Sequence, residues 1–268
     1  MESPARCRTT GMDLGLAGKV ALVSGSSRGI GRGIALGFAA EGARVVLTSR
    51  GGPDLDSAIA LARAHGGNDS AIGVACDLTT AAGVERAVAA ATSAFDGIDV
   101  LVNNLGGSGA RSFDDVDEAD LQAVLERNLW PAFRLSRAVV PSMRQRGGGA
   151  VVHIASIWGR EAGGGASYNV AKAAEISLGK AMARDLARDG IRVNTVAPGS
   201  VLFPGGGWDR RRKADPDGIA AFVAREIPSG RFGAPEEIAD VVVFLASPRA
   251  RWVTGACIPV DGGQSRAF

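Results

Sequence analysis

The 268-residue sequence is poor in the residues that build metal sites and disulfide frameworks. It has three cysteines far apart along the chain and two histidines, and it contains neither a CxxC nor an HExxH pattern. We therefore expect no zinc or other metal site. An odd number of unpaired cysteines predicts reduced thiols, which are typical of a cytoplasmic protein.

Long apolar runs and an excess of charge of one sign are also absent. The apolar run at 241–246 is far shorter than the roughly 18 residues that a membrane-spanning helix needs. The 30 basic residues are balanced by 28 acidic ones, so a phosphate-neutralising face for nucleic acid is not indicated. The first residues have no apolar core of a secretory signal. We expect a cytoplasmic protein that binds neither membranes nor nucleic acid, with residues 1–16 as a flexible extension.

Short apolar runs alternate with longer segments of helical periodicity. The runs of strand length are at 20–24, 44–48, 71–76, 100–103, 150–155, 191–197 and 255–260. The helical segments are at 30–40, 55–65, 81–95, 119–145 and 167–188. Strands that are apolar throughout predict a parallel sheet with helices on both faces. The expected fold is a single α/β domain, 17–268, with a doubly wound parallel sheet. Ligands of such sheets bind beyond the carboxyl ends of the strands.

A glycine-rich segment, SGSSRGIG at 24–31, follows the first strand and leads into the first helix. Glycines let the backbone turn tightly against a pyrophosphate, and the start of a helix offers free N–H groups. The spacing is GxxxGxG rather than GxGxxG, and an ordinary strand-to-helix turn is the alternative. The preceding strand and the following helix favour a dinucleotide site.

The charge after the second strand indicates which dinucleotide binds. An NAD site places Asp or Glu about 20 residues beyond the glycine loop, but this sequence has Arg50 there and no acid before Asp54. Arg28 and Arg50 suit the 2′-phosphate of NADP(H), unless both are solvated surface residues. We therefore expect NADP(H) to be preferred over NAD(H).

Polar residues follow the third and fourth strands as well. Asp77 is placed to accept a hydrogen bond from an adenine amino group or to cap the next helix. The Asn104 amide is placed to face the cofactor or to bridge neighbouring strand ends.

Tyr168 is the only tyrosine in the chain, and Lys172 follows it by four residues. On a helix this spacing puts both side chains on one face. A nearby ammonium favours the phenolate, so Tyr168 is a candidate general acid or base. Such a pair alone is usually a solvated helix face, but Ser156 ends an apolar strand at the expected ligand edge. Its hydroxyl is suited to bond a substrate carbonyl oxygen.

In their order and spacing these motifs resemble the short-chain dehydrogenase/reductase family, most closely its 3-oxoacyl-[acyl-carrier-protein] reductases. The resemblance covers about residues 17–264 and rests on the loop at 24–31, Asp77-Leu78, NNLG at 103–106, Asn128, Ser156, the YNVAK segment at 168–172, Asn194 and Pro198-Gly199. It implies a Rossmann fold, hydride transfer from a nicotinamide cofactor without a metal, and a homotetramer or homodimer.

The resemblance also implies individual roles. Tyr168 would protonate the carbonyl oxygen, or deprotonate an alcohol in the reverse direction, while Ser156 orients that oxygen. Lys172 would hold the nicotinamide ribose and favour the phenolate, and Asn128 would fix a water through which protons reach Lys172. The residues expected to bind the cofactor are Gly25, Ser27, Arg28, Gly29, Ile30, Arg50, Asp77, Leu78, Asn104, Gly106, Tyr168, Lys172, Pro198, Gly199 and Val201.

The chain departs from the family pattern at three positions. Ser24 and Phe203 stand where threonine is usual, and Leu105 replaces the alanine of NNAG. Ser24 keeps the hydroxyl, whereas Phe203 removes a hydroxyl contact to the cofactor. None of the three changes touches the serine, tyrosine and lysine of the expected chemistry.

A substrate lid is expected at about 200–228, where three glycines lie beside two aromatic residues. Trp158, Phe203 and Trp208 are the candidate substrate-pocket residues, with packing as the alternative for the tryptophans. The basic run at 210–213 is suited to a phosphopantetheine or coenzyme A phosphate, or is a solvated helix start. His153, inside an apolar strand, is expected in the core.

Together these features predict an NADPH-dependent carbonyl reductase that converts a small-molecule ketone, such as a 3-oxoacyl thioester or another apolar ketone, into a secondary alcohol. One alternative is an NAD(P)-dependent alcohol or sugar dehydrogenase that works oxidatively. The other is a non-catalytic nucleotide-sensing protein. The presence of Ser156, Tyr168 and Lys172 argues against a sensor, because a sensor needs only the glycine loop.

Overall fold

A parallel sheet forms the centre of the computed structural model, which describes residues 12–267. Within these residues the strands are β1 (Val20–Val23), β2 (Arg44–Ser49), β3 (Ala71–Ala75), β4 (Val100–Asn103), β5 (Gly149–Ile154), β6 (Ile191–Pro198) and β7 (Cys257–Val260). Their order is β3-β2-β1-β4-β5-β6-β7, and every neighbouring pair is parallel. The strand order reverses between β1 and β4, so the predicted doubly wound sheet is confirmed.

Helices connect the strands and cover the sheet. The helices in the described part of the chain are α1 (Gly29–Ala40), α2 (Pro53–Gly66), α3 (Ala81–Phe95), α4 (Glu118–Gln145), α5 (Ala166–Leu186), α6 (Gly207–Ala214), α7 (Pro216–Glu226) and α8 (Pro235–Ala246). One core lies between the sheet and α1, α2 and α8, and a second lies between the sheet and α3, α4 and α5.

The central strands are mostly apolar because both of their faces are buried. Successive side chains of a strand point to opposite faces. Ala21 and Val23 of β1 accordingly enter the first core, while Val20 and Leu22 enter the second. This packing explains why the sequence shows continuous apolar runs instead of an alternation of apolar and polar residues.

The structure contains three helices whose bounds the apolar pattern does not predict, namely α6, α7 and α8. α6 and α7 lie within the segment expected to be a lid. α8 begins well before the apolar run at 241–246, with a proline in its first turn and with Glu237 accepting a hydrogen bond from the Ala234 N–H (2.8 Å). Of the expected N-terminal extension, residues 1–11 lie outside the described residues, whereas Leu16 is buried in the first core. Among the residues described, no helix has the length and apolar character to span a bilayer.

Candidate active site

The glycine loop between β1 and α1 is held to β4 by side-chain hydrogen bonds. Ser24 Oγ accepts from the N–H groups of Asn104 (2.8 Å) and Leu105 (3.0 Å). Asn104 Nδ2 in turn donates to the carbonyl oxygens of Ser24 (2.9 Å) and Gly25 (3.1 Å). Asn104 therefore bridges two strand ends, and the serine that replaces the usual threonine still ties the loop to β4.

The opposite side of the loop is tied to β2. The buried Ser26 donates to the Val23 carbonyl (2.9 Å) and accepts from the Thr48 N–H (2.9 Å). Gly25 has a positive φ of 62°, which glycine adopts without strain. A Cβ at Gly31 would collide with the Gly25 carbonyl and lie 2.5 Å from Asn104 Nδ2. The loop therefore needs glycine at both positions.

A cavity of about 550 Å³ opens beside this loop at the carboxyl ends of β2, β3 and β4. Of the predicted cofactor residues, five line it: Gly25, Arg50, Asp77, Leu78 and Gly106. Asp77 Oδ1 accepts from the Thr79 N–H (3.0 Å) and hydroxyl (2.7 Å), and these bonds lower the pKa of the Asp77 carboxyl. Arg50 is exposed at the end of β2, and Arg28 is exposed at the start of α1. Ser27 and Ile30 are half-buried in the loop.

A second cavity, of about 440 Å³, brings together Ser156, Tyr168, Trp158 and Trp208. Ser156 follows β5 and is nearly buried, and its Oγ accepts from the Trp158 N–H (3.2 Å). Tyr168 lies in the first turn of α5 and is half-buried. The predicted serine and tyrosine therefore face one space, flanked by two of the three predicted pocket aromatics.

Lys172 is buried behind Tyr168, with its Nζ 6.0 Å from the centre of the phenol ring. Nζ donates to the Ile154 carbonyl (2.9 Å) and to Glu175 Oε2 (2.7 Å). Burial opposes the charged form of Lys172, but Glu175 and Tyr168 outweigh burial and raise the pKa of the amine. The ammonium is thus held in place by a fully buried carboxyl group.

Glu175 is a residue of this site that sequence reasoning missed. Burial raises the pKa of Glu175 to about 7, although Lys172 acts in the opposite sense. His153 Nδ1 lies 3.9 Å from Glu175 Oε1 and 3.4 Å from Asn103 Nδ2. Burial, reinforced by Lys172, lowers the pKa of His153 to about 4. His153 is fully buried, as expected. The available signal was a charged residue one helical turn beyond Lys172, which usually indicates a solvated face.

Asn128 lies buried on α4, beside the loop that follows β4. Its Oδ1 accepts from the Gly107 N–H (3.1 Å), and its Nδ2 donates to the carbonyls of Gly107 (2.9 Å) and Val124 (2.8 Å). A Cβ at Gly106 would lie 3.2 Å from Lys172 Nζ. Asn128 therefore holds this loop close to Lys172, and its predicted role in carrying protons stays a prediction.

The segment after β6 closes the site on the side of β7. Gly199 lines the cavity of Ser156 and Tyr168, and a Cβ there would lie 2.7 Å from Asp261 Cβ. The Ser200 N–H donates to Gln264 Oε1 (2.8 Å). Pro198 ends β6, and Val201 is buried and paired with Gly233 in a parallel bridge.

Phe203 does not line the Ser156–Tyr168 cavity, and its place in the substrate pocket stays a prediction. Its ring packs on Gly29 at the start of α1, where a Cβ would lie 2.6 Å from the ring. Gly205, with a φ of 72°, turns the chain just after Phe203. The missing side chain of Gly29 leaves room for the ring, so Phe203 covers the glycine loop instead of the Ser156–Tyr168 cavity.

The residues present fit a bound nicotinamide dinucleotide. Gly25 of the glycine loop and the ends of β2, β3 and β4 face one cavity, and the loop leaves no room for a Cβ at Gly31. Within residues 12–267, the N–H groups of Ser27 and Gly29 donate no hydrogen bond, so they are free to bind phosphate oxygens. An exposed arginine at the end of β2 is available to a 2′-phosphate.

Comparisons with known proteins agree with this geometry. A family model described as enoyl-(acyl carrier protein) reductase matches residues 25–265. The chain is 38% identical over 252 residues to the 3-oxoacyl-[acyl-carrier-protein] reductase of Vibrio cholerae, which covers 94% of this chain and 99% of that protein. L-Sorbose reductase from Gluconobacter frateurii, solved with NADPH and L-sorbose, has a TM-score of 0.89 and 38% identity over 96% of this chain and 100% of that chain. A 7α-hydroxysteroid dehydrogenase, solved with NADH and 7-oxo glycochenodeoxycholic acid, has a TM-score of 0.86 and 34% identity over 95% of this chain and 97% of that chain.

Proposed function

Because the chain belongs to the short-chain dehydrogenase/reductase family, we propose that it is an NADPH-dependent carbonyl reductase that converts a ketone into a secondary alcohol. The observation that carries the proposal is the cavity shared by Ser156 and Tyr168, with the ammonium of Lys172 buried behind the phenol ring. Both hydroxyl groups are available in this cavity to a carbonyl oxygen.

In the proposed reaction the substrate carbonyl oxygen lies between two hydroxyl donors. Ser156 donates a hydrogen bond to this oxygen and shares its developing negative charge. Tyr168 donates the proton that completes the alcohol. Lys172 stays charged beside Tyr168 and stabilises the phenolate that forms. When bound, the cofactor supplies the hydride from its nicotinamide ring.

The cofactor preference is proposed from the charges around the adenosine end of the site. Arg50 lines that cavity, and β2 ends without the carboxylate that would bond a ribose 2′-OH. The complex of L-sorbose reductase with NADPH supports this choice, whereas the hydroxysteroid dehydrogenase was solved with NADH. NADPH is therefore proposed as the reductant.

The preference is tested by replacing Arg50 with glutamine. We expect the KM for NADPH to rise about 10- to 100-fold, because a hydrogen-bonded charge pair is lost, while the KM for NADH changes little. Arg251→Gln, at an exposed arginine on the surface, is the matched control. Equal effects on both cofactors would contradict the assignment to the 2′-phosphate.

The catalytic assignment is tested with Tyr168→Phe, followed by the loss of NADPH absorbance over a panel of ketones that includes a 3-oxoacyl thioester. We expect turnover to fall by about 10²- to 10⁴-fold with NADPH affinity retained. Full activity of the variant would refute Tyr168 as the acid. Oxidation of alcohols without reduction of any ketone would favour an oxidative dehydrogenase instead.

We also propose that the chain assembles as a homotetramer or homodimer. α4 presents Trp130 and Phe133 to solvent, with ring centres 5.9 Å apart, and such exposed aromatics are typical of subunit contacts. Light scattering after size-exclusion chromatography tests this proposal, and a monomer at micromolar concentration would contradict it.

A further inference from the structure

Two arginines line the same cavity as Ser156 and Tyr168. Arg111 lies in the segment between β4 and α4, and Arg211 lies on α6. Within residues 12–267 neither guanidinium has an ion pair with a carboxylate. The cavity therefore combines the hydroxyl groups of Ser156 and Tyr168 with two positive charges that the described protein residues do not neutralise.

The neighbouring basic residues of α6 are paired differently. Arg212 and Lys213 both contact Asp209, at 3.4 and 2.8 Å. Arg210 donates to the Gly205 carbonyl. Because Asp209 pairs with Arg212 and Lys213, Arg211 lines the cavity without an ion pair to a carboxylate among the described residues.

The two unpaired charges are close enough to influence each other. Burial lowers the pKa of Arg211, and the charges of Arg111 and then Arg210 lower it further. Like charges that line one cavity repel each other, and an anion between them relieves this repulsion. The arrangement therefore favours binding of a negatively charged group.

Packing holds Arg211 in position. Its guanidinium carbon lies 4.8 Å from the centre of the Trp208 ring, and Trp208 stacks on Phe222 with ring centres 4.6 Å apart. Phe232 contacts the other members of this aromatic group, at 5.1 Å from Trp208. The Trp208 ring that Arg211 contacts is thus itself packed against two other aromatic rings.

The segment that carries Arg111 is held next to the catalytic helix. Asp120 Oδ1 accepts from the Ala110 N–H (3.1 Å), and Asp120 Oδ2 accepts from the Ser167 hydroxyl (2.6 Å). Ser167 directly precedes Tyr168. A Cβ at Gly165 would collide with the Ala110 carbonyl, so the two segments approach closely. The backbone next to Arg111 is therefore held beside the start of α5, where Tyr168 lies.

We propose that Arg111 and Arg211 bind an anionic group of the substrate, so that the substrate is a ketone bearing a carboxylate or a phosphate. This inference rests on the proposed carbonyl reduction and narrows its substrate class. The carbonyl oxygen lies at Ser156 and Tyr168, and the anion lies at the two guanidinium groups, which match the oxygen geometry of carboxylates and phosphates. Trp158 and Trp208 line the cavity around the rest of the molecule.

Three matched pairs of ketones test the proposal and separate the sources of the anion. They are a keto carboxylate with its methyl ester, a keto phosphate with the unphosphorylated ketone, and a 3-oxoacyl coenzyme A with the same acyl group on N-acetylcysteamine. We expect the charged member of at least one pair to have a kcat/KM about 10- to 100-fold higher. Arg111→Gln and Arg211→Gln should each reduce this preference about tenfold or more, mainly through KM.

Arg212→Gln is the matched control, since it removes the same charge from α6 outside the cavity lining. It should keep the preference, and all variants should bind NADPH as the wild type does. Equal use of the neutral and charged members of every pair would overturn the proposal. So would an unchanged preference in both cavity variants.

A different result would overturn the carbonyl reductase proposal, namely that none of the ketones is reduced. The arginine site is then judged by binding alone. Quenching of tryptophan fluorescence by the keto carboxylate or keto phosphate in the wild type, and its loss in the Arg111→Gln/Arg211→Gln double variant, would support the site. The same response in both proteins, or none in either, would overturn it.

Discussion

Folding shifts the pKa values of two adjacent buried groups in opposite directions. Burial raises the pKa of Glu175 from 4.5 to about 7, and burial lowers that of His153 from 6.5 to about 4. The groups that face the pair are Lys172, which bonds Glu175, and the amide of Asn103, which faces His153. Each shift makes the stability of the fold depend on pH.

The two dependences have opposite signs. Between pH 4.5 and 6.5 the folded protein holds a proton on Glu175 that the unfolded chain has lost. In the same window the unfolded chain holds a proton on His153 that the folded protein lacks. The free energy of unfolding falls with rising pH where the folded state binds more protons, and it rises where the unfolded state does. In the wild type these two contributions cancel.

Replacing one member of the pair exposes the contribution of the other. In Glu175→Gln only the His153 contribution remains, so the free energy of unfolding should rise, relative to the wild type, by about 2 kcal/mol across this window. In His153→Gln it should fall by about 2 kcal/mol. The magnitude follows because one pH unit with a full proton difference corresponds to about 1.4 kcal/mol, and the difference is smaller than one proton at both ends of the window.

The measurement is urea unfolding, followed by tryptophan fluorescence, at several pH values between 4.5 and 6.5. The quantity compared is the difference in free energy of unfolding between each variant and the wild type. Glu85→Gln, at an exposed glutamate of α3, is the control and should run parallel to the wild type. The reasoning is refuted if Glu175→Gln and His153→Gln also run parallel to the wild type, or if the two slopes are exchanged.

Two further predictions concern the glycine loop and a buried arginine. Gly31→Ala should weaken NADPH binding more than about tenfold, because the new Cβ overlaps the loop backbone and crowds Asn104. Fluorescence titration with NADPH measures this effect. The control Gly207→Ala, at a position where nothing lies within 4 Å of the new Cβ, should bind NADPH as the wild type does. Arg192 donates to three carbonyls at the end of α8, so Arg192→Met should cost about 2–4 kcal/mol. Urea unfolding tests this prediction, and Arg188→Met, at an exposed arginine, is the control. Equal urea midpoints for the two variants would contradict it.

Local spacing was enough to predict that Ser156, Tyr168 and Lys172 lie close together. Tyr168 and Lys172 lie four residues apart on a helix, and Ser156 directly follows an apolar strand, so their neighbourhood follows from the repeat of a helix and the edge of a parallel sheet. Glu175 lies on the same helix but was not predicted. Its burial depends on the contact of α5 with β5, where His153 and Ile154 lie, and no local pattern reports such a contact.

The sequence by itself determined the alternation of strands and helices, the glycine loop, and the set of Ser156, Tyr168 and Lys172. Each depends on periodicity or spacing over a short stretch of chain. Only the tertiary structure decided that Arg111 and Arg211 face one cavity and that Phe203 turns toward the glycine loop. These positions result from packing between segments that are distant in the chain, and such packing depends on the shape of the whole fold.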